Sequence, residues 1–158
     1  MRRGILVTVL MAASGPQAVA QAAPIDMCPG LQEVLAAASG PGLASLAPTW
    51  SASQSYAAAR KPAGYEHAVD CQVVRGERDQ FDCRWYYVDA PDSRRPSLSQ
   101  KVRECLAPLG WRAEPTENDH GARVTRFTKA GGVEVQAIEA DHNLVTHSDR
   151  LSVTAPAR

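Results

Sequence analysis

No segment of this chain stays apolar long enough to span a bilayer. Its longest such run, Ile5 to Ala13, is interrupted only by Thr8 and falls far short of the ~20 residues a spanning helix needs. No later segment approaches that length, so no transmembrane segment is expected in the mature chain. Net charge is absent too, 17 basic side chains facing 17 acidic ones. The basic pairs Arg2-Arg3 and Arg94-Arg95 are too short to track a phosphate backbone, which excludes nucleic acid as a partner.

Catalytic and cofactor signatures are also missing. The sequence contains no Gly-x-Ser-x-Gly, no His-Glu-x-x-His, no phosphate loop and no dinucleotide fingerprint, each of which places a nucleophile, a metal or a phosphate at a fixed backbone geometry. Without Cys-x-x-Cys there is no redox dithiol. Structural zinc wants closely spaced ligand pairs, and the cysteines at 28, 71, 83 and 105 include none. His142 and His147 lie in a loop-to-strand context that points them to different faces. No metal and no cofactor are expected.

What the chain does have begins at its N-terminus. Met1-Arg2-Arg3, the apolar run, and Ala18-Val19-Ala20 form the basic, hydrophobic and cleavage regions of a secretory signal peptide. Residues 1–20 are expected to be removed, leaving 21–158 as one exported domain. Ile25-Asp26-Met27 before Cys28 lacks the small residues a lipid-modified cysteine requires. All 4 cysteines lie in the exported part, where an even number implies a disulfide framework. The bias toward Ala, Arg and Pro suits a bacterial gene, and the expected compartment is the periplasm or the medium.

Cys28, Leu31, Val34, Leu35 and Ala38 share one helical face, with Asp26 able to cap the start, Pro29 in the first turn and Gly40 past the end. Residues 41–64, rich in Ala, Ser and Pro, read as a long surface connection with one short helical piece from Ser53 to Arg60. Val69–Val74 and Phe81–Val88 read as a hairpin turning at Gly76-Glu77-Arg78. That register pairs Cys71 with Cys83, Val73 with Phe81 and Val69 with Trp85 on one face. Ser97-Leu98-Ser99-Gln100 is a capping box opening a helix whose stripe is Leu98, Val102, Cys105, Leu106 and Leu109, stopping at Pro108 and Gly110. Arg123–Lys129, Val133–Glu139 and Leu144–Val153 read as a meander with a glycine turn at Gly131-Gly132.

The order helix, two strands, helix, three strands gives an α+β fold, helices on one face of an antiparallel sheet. The hairpin register selects the disulfide Cys71–Cys83 and leaves Cys28–Cys105 to tie helix to helix.

Alternation turns Trp85 and Tyr87 inward and Tyr86 outward beside Arg84 and Gln72. Tyr and Arg are the types enriched at binding hot spots, so Tyr86, Arg84 and Gln72, with Trp50 in the long connection, are the candidate binding residues. No catalytic residue is assigned. The expected function is a non-enzymatic domain that binds another envelope or secreted protein, as an inhibitor or immunity protein does. One alternative is a periplasmic hydrolase built from dispersed His67, Asp119, His120 and His147; another is an envelope accessory factor.

Overall fold

The computed structural model describes residues 26–51, 53–88, 97–117, 121–141 and 146–157. The segment read as a signal peptide, and Asp119, His120 and His142, lie outside them.

Helix α1 (Cys28–Ser39) starts where Asp26 Oδ1 accepts the Cys28 N–H at 2.9 Å, and it buries Leu31, Val34, Ala37 and Ala38. The stretch expected to run as a surface connection does more than connect. A 3-10 turn at Leu43–Leu46 buries Leu43 and Leu46 in the core. Tyr56–Ala58, expected within a helical piece, forms strand β1 instead. Alanine favours helix locally, but β1 pairs along the open edge of the next strand, with Ala57 opposite Val73, and that ladder overrides the local preference.

Strands β2 (Asp70–Val74) and β3 (Gln80–Val88) adopt the expected register, with Cys71 opposite Cys83 and Val73 opposite Phe81. Val69 departs from expectation: it precedes β2, donates its N–H to the Arg84 carbonyl, and is exposed rather than packed in the core. Helix α2 (Leu98–Leu106) is capped by Ser97, whose side chain accepts from the Gln100 N–H. Only half of the capping box forms, since the Gln100 side chain donates to Glu104 Oε1 at 3.1 Å instead of reaching back. Leu109 leaves the apolar stripe because the helix tightens into a 3-10 turn at Ala107–Leu109 and ends on Gly110 with φ +79°.

Four strands follow where three were expected. Strand β4 (Arg112–Glu117) precedes β5 (Arg123–Thr128), β6 (Glu134–Asp141) and β7 (Thr146–Thr154). Its sequence, Arg-Ala-Glu-Pro-Thr-Glu, lacks apolar alternation, and Pro115 is tolerated because β4 is an edge strand. Gly131 and Gly132 make the β5–β6 turn at φ +113° and +78°, values only glycine adopts freely.

The fold is a 7-stranded sheet in the order β1-β2-β3-β7-β6-β5-β4, antiparallel at every pairing. Its element order is α-β-β-β-α-β-β-β-β, two strands more than the sequence pattern predicts. Val73, Phe81, Leu151, Val153, Val135 and Phe127 join the buried faces of both helices in one apolar cluster. Both expected disulfides are present. Cys71–Cys83 bridges neighbouring strands with Cα atoms 4.2 Å apart, and Cys28–Cys105 ties α1 to α2 at 5.2 Å. Among the described residues no helix is long and apolar enough to cross a membrane.

Candidate functional site

The period of two along β3 sends Phe81, Cys83 and Trp85 into the core and turns Asp82, Arg84 and Tyr86 to the opposite, outer face. Register with β2 and β7 builds that face around them. Arg84 stands opposite both Asp70 and Arg150, and Asp82 stands opposite Gln72 and Ser152.

Two arginines facing each other across strands repel. Each is held by its own carboxylate. Arg84 Nη2 lies 3.3 Å from Asp70 Oδ2, and Arg150 grips Asp82 through Nε at 3.1 Å and Nη2 at 3.0 Å. Asp82 is buried among these side chains although it lies on the outer face, and Gln80 Nε2 donates to its Oδ1 at 3.0 Å and to Ser152 Oγ at 2.8 Å. The two arginine side chains remain partly open, with exposures of 40% for Arg84 and 43% for Arg150. Tyr86, one step along β3 and opposite Ser148, is 52% exposed. The result is an aromatic ring beside two cations, one of which, Arg150, is held in a fixed plane by its two bonds to Asp82 and so loses little rotamer entropy on contact.

At the far end of the same flank Tyr56 stands opposite Val74 and is 64% exposed. Sequence reasoning missed it because Tyr-Ala-Ala-Ala reads as helix. It also missed Arg150, although the alternation of Leu151 and Val153 inward already turned position 150 outward.

Trp50 does not join Tyr86. It sits by Arg75, just beyond the Val74–Gln80 end of the hairpin, six residues or ~20 Å along β3 from Tyr86. Its ring lies 4.7 Å beneath the Arg75 guanidinium carbon, its Nε1 donates to the Gln54 carbonyl at 3.0 Å, and it is packed against the core. These contacts make it a clasp for the loop that leads into β1.

On the β5–β6 half of the outer face Arg126 pairs with Glu134 at 2.7 Å. Partial burial pushes the Glu134 carboxyl upward, but the hydrogen bonds from Arg126 and Gln136 outweigh it and hold the group below its ordinary range; the same pairing raises the Arg126 guanidinium.

Of the residues of the hydrolase alternative, Asp119 and His120 lie outside the described residues, and His67 and His147 do not meet on the outer face. His147 is buried on the core side, its Nδ1 2.7 Å from Asp141 Oδ1. His67 is exposed in the loop before β2. Asp26, Cys28 and Cys105 place potential metal-ligand atoms together, but the two sulfurs are bonded to each other, leaving no thiolate to bind a metal.

No protein-family model, curated protein or solved structure matches this chain. The outer face is thus described by its side chains alone: two ion-paired guanidinium groups flanked by exposed tyrosines.

Proposed function

We propose that this protein is an exported, disulfide-bonded domain that binds another envelope or secreted protein, in the manner of an inhibitor or immunity protein, through the β1–β3 flank of its outer face. The observation that carries this reading is the exposed Tyr86 beside the ion-paired Arg84 and Arg150 on a sheet face turned away from the core. Tyrosine and arginine supply large contact area and planar donors at small entropic cost. Export is supported by the N-terminal pattern and by two disulfides, which persist in oxidising compartments.

The test places a photo-crosslinking residue at position 86, and for comparison at position 112 on the distant edge strand, in cells making the full chain. A single partner captured in stoichiometric amount from position 86 and not from 112 is expected. Tyr86→Ala should then weaken that complex by roughly tenfold or more without changing the thermal midpoint. No partner at position 86, or equal capture from both positions, overturns the reading.

A further inference from the structure

The two edges of the sheet are unlike. Strand β4 is blunted by Pro115, which has no N–H, and by the exposed, charged Arg112 and Glu114. Strand β1, at the opposite edge, has neither device: residues 51–59 include no proline and no charged side chain. Among the described residues nothing pairs with its free side.

The backbone of β1 sets which groups that free side presents. The Ala59 N–H donates to the Cys71 carbonyl at 2.9 Å, the Arg75 N–H donates to the Ser55 carbonyl at 2.7 Å, and Ala57 stands opposite Val73. Backbone groups alternate from one side of a strand to the other. Ser55, Ala57 and Ala59 therefore aim theirs at β2, while Tyr56 and Ala58 aim N–H and C=O outward along the open edge. Outward groups on residues two apart allow a strand to pair antiparallel with a copy of itself about the residue between them. Tyr56 of each copy then exchanges N–H to C=O bonds with Ala58 of the other, and Ala57 meets Ala57 on the twofold axis.

The side chains suit that register. Tyr56 and Ala58 stand opposite Val74 and Gln72 on the outer face, and both are exposed. Pairing sets the Tyr56 ring between Val74 of its own sheet and the small Ala58 of the second copy, a cross-strand contact that stabilises a ladder. Only methyl groups meet on the axis, and Ser55 falls opposite Ala59, so no like charges oppose each other.

We infer that this protein forms a twofold dimer by antiparallel pairing of its β1 edges, which joins two sheets into one. Both copies contribute the same edge, so the assembly closes at two, and the blunted β4 gives it no further edge to grow from. The edge is not the face that carries Tyr86, so the inference stands apart from the protein-binding reading.

The experiment is sedimentation equilibrium of the oxidised protein, made from the full chain, between about 10 μM and 1 mM, a range suited to so small a contact. Amide hydrogen exchange, resolved by residue, is measured at both ends of that range. A mass rising from one copy to two is expected. The Tyr56 and Ala58 amides should exchange at least about tenfold more slowly at the high concentration than at the low one. Ala58→Pro removes an outward N–H and takes no bond from the β1–β2 ladder, so the folded variant should stay monomeric at about 1 mM. If Ala58→Pro does not fold, amide exchange in the unaltered chain decides by itself. A single-copy mass throughout overturns the inference, as does growth beyond two copies. So does a dimer whose Tyr56 and Ala58 amides exchange no more slowly, or a folded Ala58→Pro that dimerises equally well.

Discussion

A single buried hydroxyl shows how unevenly this core is built. Tyr65 is fully buried, its ring 5.5 Å from that of Trp85, and its hydroxyl has no hydrogen-bond partner. Burial pushes that phenol well above its ordinary value of 10.0, because the charged form would be stranded in an apolar site. Removing an unsatisfied polar atom costs nothing in hydrogen bonds. Tyr65→Phe should therefore leave stability unchanged or raise it by up to about 1 kcal/mol, measured by urea denaturation at pH 7. The pH dependence has a definite sign. In the unfolded chain the phenol ionises near its ordinary value while the folded chain keeps the proton, so the folded state loses stability as pH rises beyond about 10. That alkaline loss should be smaller in Tyr65→Phe. Position 65 reads in the sequence as one more loop residue; its burial depends on Gly30, whose missing Cβ leaves room for the Tyr65 ring.

Between residue and whole fold, the element whose placement is least legible is α2. Its cap at Ser97 and its stripe of Leu98, Val102, Cys105 and Leu106 follow from local sequence. What docks its first turn does not. Glu139 on β6 accepts the Leu98 N–H at 2.8 Å, a backbone donor with no partner within the helix, and the Ser99 hydroxyl at 3.0 Å, and it places negative charge at the positive end of the dipole. From the sequence Glu139 is only the last residue of a strand, and nothing local says that a helix more than thirty residues earlier ends on it. Hydrogen bonds to a buried carboxylate are worth more than neutral ones, so Glu139→Ala should destabilise the fold by about 2–3 kcal/mol. Hydrogen exchange should show the α2 amides losing protection more than those of β2 and β3. Uniform loss across all elements would mean that Glu139 holds the sheet rather than the helix.

For the molecule as a whole, the Cys28–Cys105 bridge is the long-range link, spanning 77 residues. It ties α1 to α2, whereas the 12-residue Cys71–Cys83 bridge staples a hairpin already paired by its register. On the chain-entropy account the longer loop restrains the unfolded chain more, contributing about 4.5 kcal/mol against about 3 kcal/mol for the shorter one. Cys105→Ser should lower stability by several kcal/mol on that account and leave a free thiol at Cys28. Thiol labelling followed by peptide mapping checks it; label at Cys71 or Cys83 would mean that the two bridges exchange.

The sequence by itself determined what depends on near neighbours along the chain. Period-two alternation and one cysteine in each strand set the hairpin register, so Cys71–Cys83 and the outward turn of Tyr86 and Arg84 followed at once. With one pair taken, Cys28–Cys105 was the remaining choice. Helix α1, the Ser97 cap and the glycine turn at Gly131-Gly132 are likewise local. Only the tertiary structure decided the rest. Strands β1 and β4 carry no apolar alternation and exist because the open edges of β2 and β5 supply their hydrogen bonds. Arg150 came to stand by Arg84, and Trp85 by Asp149, because β7 pairs with β3 across more than fifty intervening residues. That pairing is fixed by burial of both strands' apolar faces in one core, a long-range balance that no window of local sequence contains.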